Sequence, residues 1–133
     1  ADEFICLFFD DLINHKVLHF LQQAKKKNER IIVLSNSPQY LIDPIAHKLS
    51  IKECFGSTYN VDKDNRFQSI SNIMDGKAKA KYTSNLSPEI DKKIVFSDSI
   101  WDRPLLEEAD VCYVVNPDSK LSVLAKTKGW NFL

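Results

Sequence analysis

Ile31-Ile32-Val33-Leu34-Ser35-Asn36-Ser37-Pro38 is the stretch on which the fold turns. An unbroken apolar, largely β-branched run describes a strand buried on both faces, as in parallel sheets. The run stops at Ser35, and Pro38, with its fixed φ, suits the opening of the next helix. That helix carries Leu41, Ile42, Ile45, Ala46 and Leu49, and Pro44 inside it is expected to bend or interrupt it.

The same alternation continues in both directions. Upstream, Val17, Leu18, Leu21 and Ala24 fall at helical spacing, which predicts a helix over residues 14–28 with Asn14 as N-cap. Downstream, a short run around Cys54-Phe55 leads into a polar stretch, Asn60 to Asn65, that reads as a hairpin tip. A Lys/Ala-rich helix begins near Gly76. Ile94-Val95-Phe96 is a second buried strand, Pro104 to Ala109 a short helix, and Val111 to Val115 a third strand. A last helix runs to Lys128 with Gly129 as C-cap, and Trp130-Asn131-Phe132 closes as an edge strand. Strands alternating with helices imply βαβ units and a parallel sheet. Chemistry in such sheets gathers at the carboxyl ends of the strands. Ser35, Asp98 and Asn116 each lie just past an apolar run.

At 133 residues the chain fits one domain spanning 1–133. Eighteen basic residues balance eighteen acidic ones, so no global field attracts nucleic acid or an anionic membrane. The basic cluster Lys25-Lys26-Lys27 reads as the solvated end of a helix, where cations complement the dipole. The three cysteines, Cys6, Cys54 and Cys112, are scattered, without the spacing of a zinc site or a disulfide framework. No apolar run reaches the ~20 residues of a membrane span, and no secretory leader is legible, so the expectation is a cytoplasmic protein.

Three constellations carry chemistry. Ser35-Asn36-Ser37-Pro38 places hydroxyls and successive backbone N–H groups ahead of a helix, a natural phosphate seat; equally, Ser35 and Ser37 could simply cap that helix. Asp98 and Asp102 are separated by one turn and could share a hard cation such as Mg²⁺; alternatively, Asp102 caps the helix near Pro104 and Asp98 is a solvated loop residue. Gly76-Lys77-Ala78-Lys79-Ala80-Lys81 sets lysines at a helix start, where cations fit best beside an anion; an exposed basic face accounts equally well for at least two of them.

In order, spacing and flanking residues, the three together resemble the haloacid dehalogenase superfamily, in particular its phosphoserine-phosphatase-like branch. Ile31 to Ser35 resembles the second motif, Gly76-Lys77-Ala78-Lys79 the third, and Ser97-Asp98-Ser99-Ile100-Trp101-Asp102 the fourth, with Ser97 where that branch has Gly. The resemblance covers residues 14–132 and implies a three-layer, Rossmann-like α/β core. It implies Mg²⁺-dependent phosphoryl transfer on a small phosphorylated molecule. Ser35 would hydrogen-bond the phosphoryl group with help from the Asn36 backbone N–H. Lys79 would neutralise charge, with Lys77 the reserve candidate. Asp98 would hold Mg²⁺ and Asp102 would support it.

The first motif of that family, an apolar strand running into Asp-x-Asp-x-Thr, has no match in this sequence. Phe4 to Phe9 runs into Asp10-Asp11-Leu12-Ile13, with Leu at the second acidic position and no Thr after it. Residues 1–13 are therefore expected to be either the tail of a cap or a substitute first strand. If the first strand is missing, two central strands lose a partner, and a second subunit becomes one way to restore it.

Overall fold

The computed structural model describes residues 14–86 and 90–133. It divides into two compact units, with the boundary between Met74 and Asp75. The segment 1–13, expected as a cap remnant or a substitute first strand, lies outside the described residues.

The first unit runs α1 (His15–Lys26), β1 (Ile32–Pro38), α2 (Gln39–Lys48), β2 (Glu53–Val61) and β3 (Phe67–Asn72). Asn14 caps α1 as expected, its side-chain oxygen accepting from the Lys16 and Val17 N–H groups. β1 and β2 pair in parallel, and the Arg30 guanidinium forks onto the Glu53 carboxylate at 2.8 and 2.6 Å where that ladder begins. β1 is longer than the apolar run suggested: it continues to Pro38, and its register against β2 breaks between Leu34 and Pro38. α2 continues through Pro44 without interruption. Only the Tyr40 carbonyl lacks its intrahelical donor there, and Tyr40 is exposed to water. The polar stretch is a hairpin tip, in which the Asp62 carboxylate accepts from the Asp64 and Arg66 N–H groups. The hairpin's second strand, β3, is exposed along its whole length, with register shifts against β2. Ile42, Ala46, Ile51 and Met74 form the buried apolar part of this unit.

The second unit runs α3 (Gly76–Ser84), β4 (Ile94–Ser97), a 3₁₀ turn (Ile100–Asp102), α4 (Arg103–Glu107), β5 (Val111–Val114), α5 (Ser119–Lys128) and β6 (Asn131–Phe132). Its strands are parallel in the order β4-β5-β6, joined by helices. Phe96 and Tyr113, opposite one another in that register, stack with centroids 4.9 Å apart. Leu106, Cys112, Val114, Leu121 and Ala125 form the buried core, with Val95 and Trp130 packed against it. α5 ends as expected at Gly129, whose φ of 72° is the left-handed C-cap conformation. The fold class is thus α/β with parallel strands. Among the described residues β1 pairs only with β2, and β4 only with β5.

Candidate phosphate and metal site

In the second unit the third and fourth motifs are in direct contact. α3 is capped by Asp75, whose carboxylate accepts from the Ala78 N–H. One turn in, Lys79 is only 7% exposed, whereas Lys77 and Lys81 face solvent. A buried ammonium needs a counter-charge. Asp102 supplies it: the Lys79 Nζ donates to Asp102 Oδ1 at 2.8 Å. The other oxygen, Oδ2, accepts from the Ser97 hydroxyl at 2.7 Å, and Ser97 and Asp102 are themselves buried. The carboxylate is therefore held at both oxygens.

Gly76 explains the spacing of the third motif. A Cβ there would lie 1.9 Å from the Trp101 carbonyl oxygen, so only glycine lets the helix start rest on the 3₁₀ turn. Lys79, three residues on, lies on the same face of α3 and reaches Asp102 beyond that contact. Two points thus join helix and turn. The capping alternative for Asp102 does not hold, because α4 receives no side-chain cap from it.

Asp98 sits differently. It follows β4 directly, is exposed, and forms no hydrogen bond among the described residues. Ser99 braces the turn beside it, its hydroxyl accepting from the Trp101 N–H at 3.2 Å, while Trp101 is 82% exposed. Among the described residues no three His, Cys, Asp or Glu side chains converge as a metal cage. Mg²⁺ needs no such cage: it takes one or two carboxylates and fills its octahedron with water and phosphate oxygens. The Asp98 carboxylate, free among the described residues and four positions before the immobilised Asp102, fits that requirement.

In the first unit, Ser35 is half-buried and its Oγ accepts from the Ser37 N–H at 3.1 Å, which leaves its own proton to donate. α2 starts after Pro38 with no side-chain cap among the described residues, so the reading of Ser35 and Ser37 as caps fails. The Asn36 side chain faces elsewhere, accepting from the Ser57 hydroxyl at 3.3 Å. Ser57 carries no motif signature. The one signal that could have found it is the preceding Gly56, since a glycine inside a strand marks a close approach.

Comparison with known proteins bears on the family and the fold. Residues 2–107 match the profile of the haloacid dehalogenase-like hydrolase family. The chain is 27% identical to a histidinol-phosphatase of Neisseria meningitidis over 123 residues, covering 85% of this chain and 55% of that protein. It is 24% identical to a phosphoserine phosphatase of Mycobacterium tuberculosis over 131 residues, covering 92% of this chain and 42% of that one. The chain thus spans about half the length, or less, of these relatives. Among solved structures, a protein of unknown function from Bordetella pertussis superposes with a TM-score of 0.83 at 16% identity, covering 99% of this chain and 63% of that one. A phosphoserine phosphohydrolase-like protein from Francisella tularensis gives a TM-score of 0.78 at 20% identity, covering 98% and 63%. The parallel strands, the joined third and fourth motifs and the profile match converge on one assignment: the chain belongs to the haloacid dehalogenase-like hydrolase family.

Proposed function

We propose that this chain is the phosphate- and Mg²⁺-handling part of a phosphatase acting on a small phosphomonoester. The observation that carries the reading is the exposed Asp98 four residues before Asp102, whose two oxygens are fixed by Lys79 and Ser97. That arrangement keeps one carboxylate free for a cation and holds its neighbour still. Ser35 would donate to a phosphoryl oxygen, helped by the Asn36 N–H and the first turn of α2. Lys79 would offset the phosphoryl charge. Asp98 would hold Mg²⁺, with Asp102 in support. When bound, the ion would draw electron density from phosphoryl oxygens.

The sequence has no Asp-x-Asp-x-Thr, so this chain would bind phosphate without turning it over by itself. We place it in the cytoplasm, where the free thiols of Cys54 and Cys112 persist. A second reading, a non-catalytic phosphate- or Mg²⁺-binding module with a regulatory role, draws on the same missing motif. Hydrolysis of para-nitrophenyl phosphate by the intact gene product with Mg²⁺, abolished by Asp98→Ala, is the outcome expected for the phosphatase. No turnover by the intact product, with phosphate and Mg²⁺ still raising its melting temperature, would favour the module.

A further inference from the structure

The segment Ser35–Ser37 breaks the ladder between β1 and β2, and residues outside every motif hold it in place. Gln39, the first residue of α2, makes three hydrogen bonds through its side-chain amide. Its amide nitrogen donates to the Cys54 carbonyl at 3.0 Å and to Asp43 Oδ1 at 2.6 Å, and its amide oxygen accepts from the Gly56 N–H at 2.6 Å. The side chain thus bonds to the peptide groups on either side of Phe55 much as a strand backbone would. Gly56 is the matching recess: a Cβ there would lie 2.6 Å from the Ser37 carbonyl oxygen and 2.7 Å from Ile42 Cδ1. Next in sequence, Ser57 is 1% exposed. Its hydroxyl donates to Asn36 Oδ1 at 3.3 Å and accepts from the Met74 N–H at 2.9 Å.

A buried hydroxyl that both donates and accepts, and a carboxamide with both N–H groups and its oxygen bonded, fix their neighbours in one geometry. We infer that Gln39 and Ser57 are positioning residues that hold the Ser35–Ser37 segment in its anion-ready form. The inference rests on the functional reading above. They act through the segment and need not touch the ligand.

The test uses the full chain with Gln39→Glu, Ser57→Ala and Ser57→Thr, and Ile51→Val as a control that loosens the first unit away from the clamp. Gln39→Glu keeps the shape but turns an acceptor onto the Asp43 carboxylate and the Cys54 carbonyl. Amide hydrogen exchange over residues 33–41 is measured alongside binding of inorganic phosphate with Mg²⁺. Gln39→Glu and Ser57→Ala are expected to speed exchange of the segment and weaken phosphate binding, each by roughly tenfold, the worth of one or two hydrogen bonds. Ser57→Thr, which keeps the hydroxyl, retains both. Ile51→Val lowers the melting temperature and leaves phosphate affinity unchanged. Unchanged exchange in both Gln39→Glu and Ser57→Ala overturns the inference, as does faster exchange with undiminished phosphate affinity. If the wild-type chain binds no phosphate while the variants still loosen the segment, the functional reading falls and the clamp stands.

Discussion

Gly76→Ala places a methyl group 1.9 Å from the Trp101 carbonyl oxygen and 3.1 Å from its carbon. A carbon rests no closer than about 3.3 Å to a carbonyl oxygen, so the two backbones must part by roughly 1.4 Å. Neither party is a flexible side-chain end: one is the start of α3, the other the turn carrying Asp102. Overpacking of this kind costs about 1–3 kcal/mol. Alanine's better helix propensity offsets up to about 1 kcal/mol of it. Separating α3 from the turn also stretches the 2.8 Å Lys79–Asp102 bond, whose loss would leave two buried charges poorly paired. A net destabilisation of about 2 kcal/mol follows, a fall in melting temperature of about 6–10 °C for a chain of this size. Gly129→Ala is the comparator. It has the left-handed φ but nothing within 4 Å, so it should cost only about 1 kcal/mol of backbone strain. Thermal unfolding of the two variants, followed by circular dichroism, makes the comparison. A Gly76→Ala protein that melts with the wild type, or no lower than Gly129→Ala, would refute the close-approach argument.

Other outcomes follow from the same geometry. Lys79→Met strands the buried Asp102 carboxylate and should cost about 3–5 kcal/mol in denaturant melts, whereas Lys77→Met on the exposed face should stay within about 0.5 kcal/mol. Ser97→Ala removes the only donor to Asp102 Oδ2 among the described residues and should cost about 1–3 kcal/mol by the same melts. Glu53 titrates below its usual 4.5 because Arg30 hydrogen-bonds its carboxylate. Since the folded value lies below the unfolded one, the pair's contribution is present above about pH 4.5 and fades as pH falls through the folded value. Glu53→Gln should therefore cost about 0.5–1 kcal/mol at pH 7, less in high salt, and nothing once the wild-type carboxyl is protonated.

What the sequence disclosed depended on periodicity and on residue types with one dominant use. Ile31 to Leu34, Ile94 to Phe96 and Val111 to Val115 read as strands because both faces are apolar, and Asn14 and Gly129 fixed helix ends through backbone chemistry. Strand β3 was missed because Phe67 to Asn72 is exposed throughout, so no buried face imposes an alternation. The extension of β1 to Pro38 was missed because pairing there depends on β2, not on the local residues. Lys79, Asp98, Asp102 and Ser35 stand out through the resemblance to the family's motifs, since spacing alone leaves each with an equally plain alternative. The Ser97 hydroxyl was not legible: the position stood out as a departure from Gly, but its bond to Asp102 arises from the return of the 3₁₀ turn. Gln39 reaches Gly56 across 17 residues of chain, a contact no local pattern encodes.

We propose an anion seat at Ser35–Ser37 and a cation-facing carboxylate at Asp98. A titration of the ¹⁵N-labelled chain with Mg²⁺ and inorganic phosphate, followed amide by amide, tests it most directly. Saturable shifts are expected at residues 35–41 and 98–102, with the first set suppressed by Ser35→Ala and the second by Asp98→Ala. Shifts absent from both segments, or unchanged in the two variants, would contradict it.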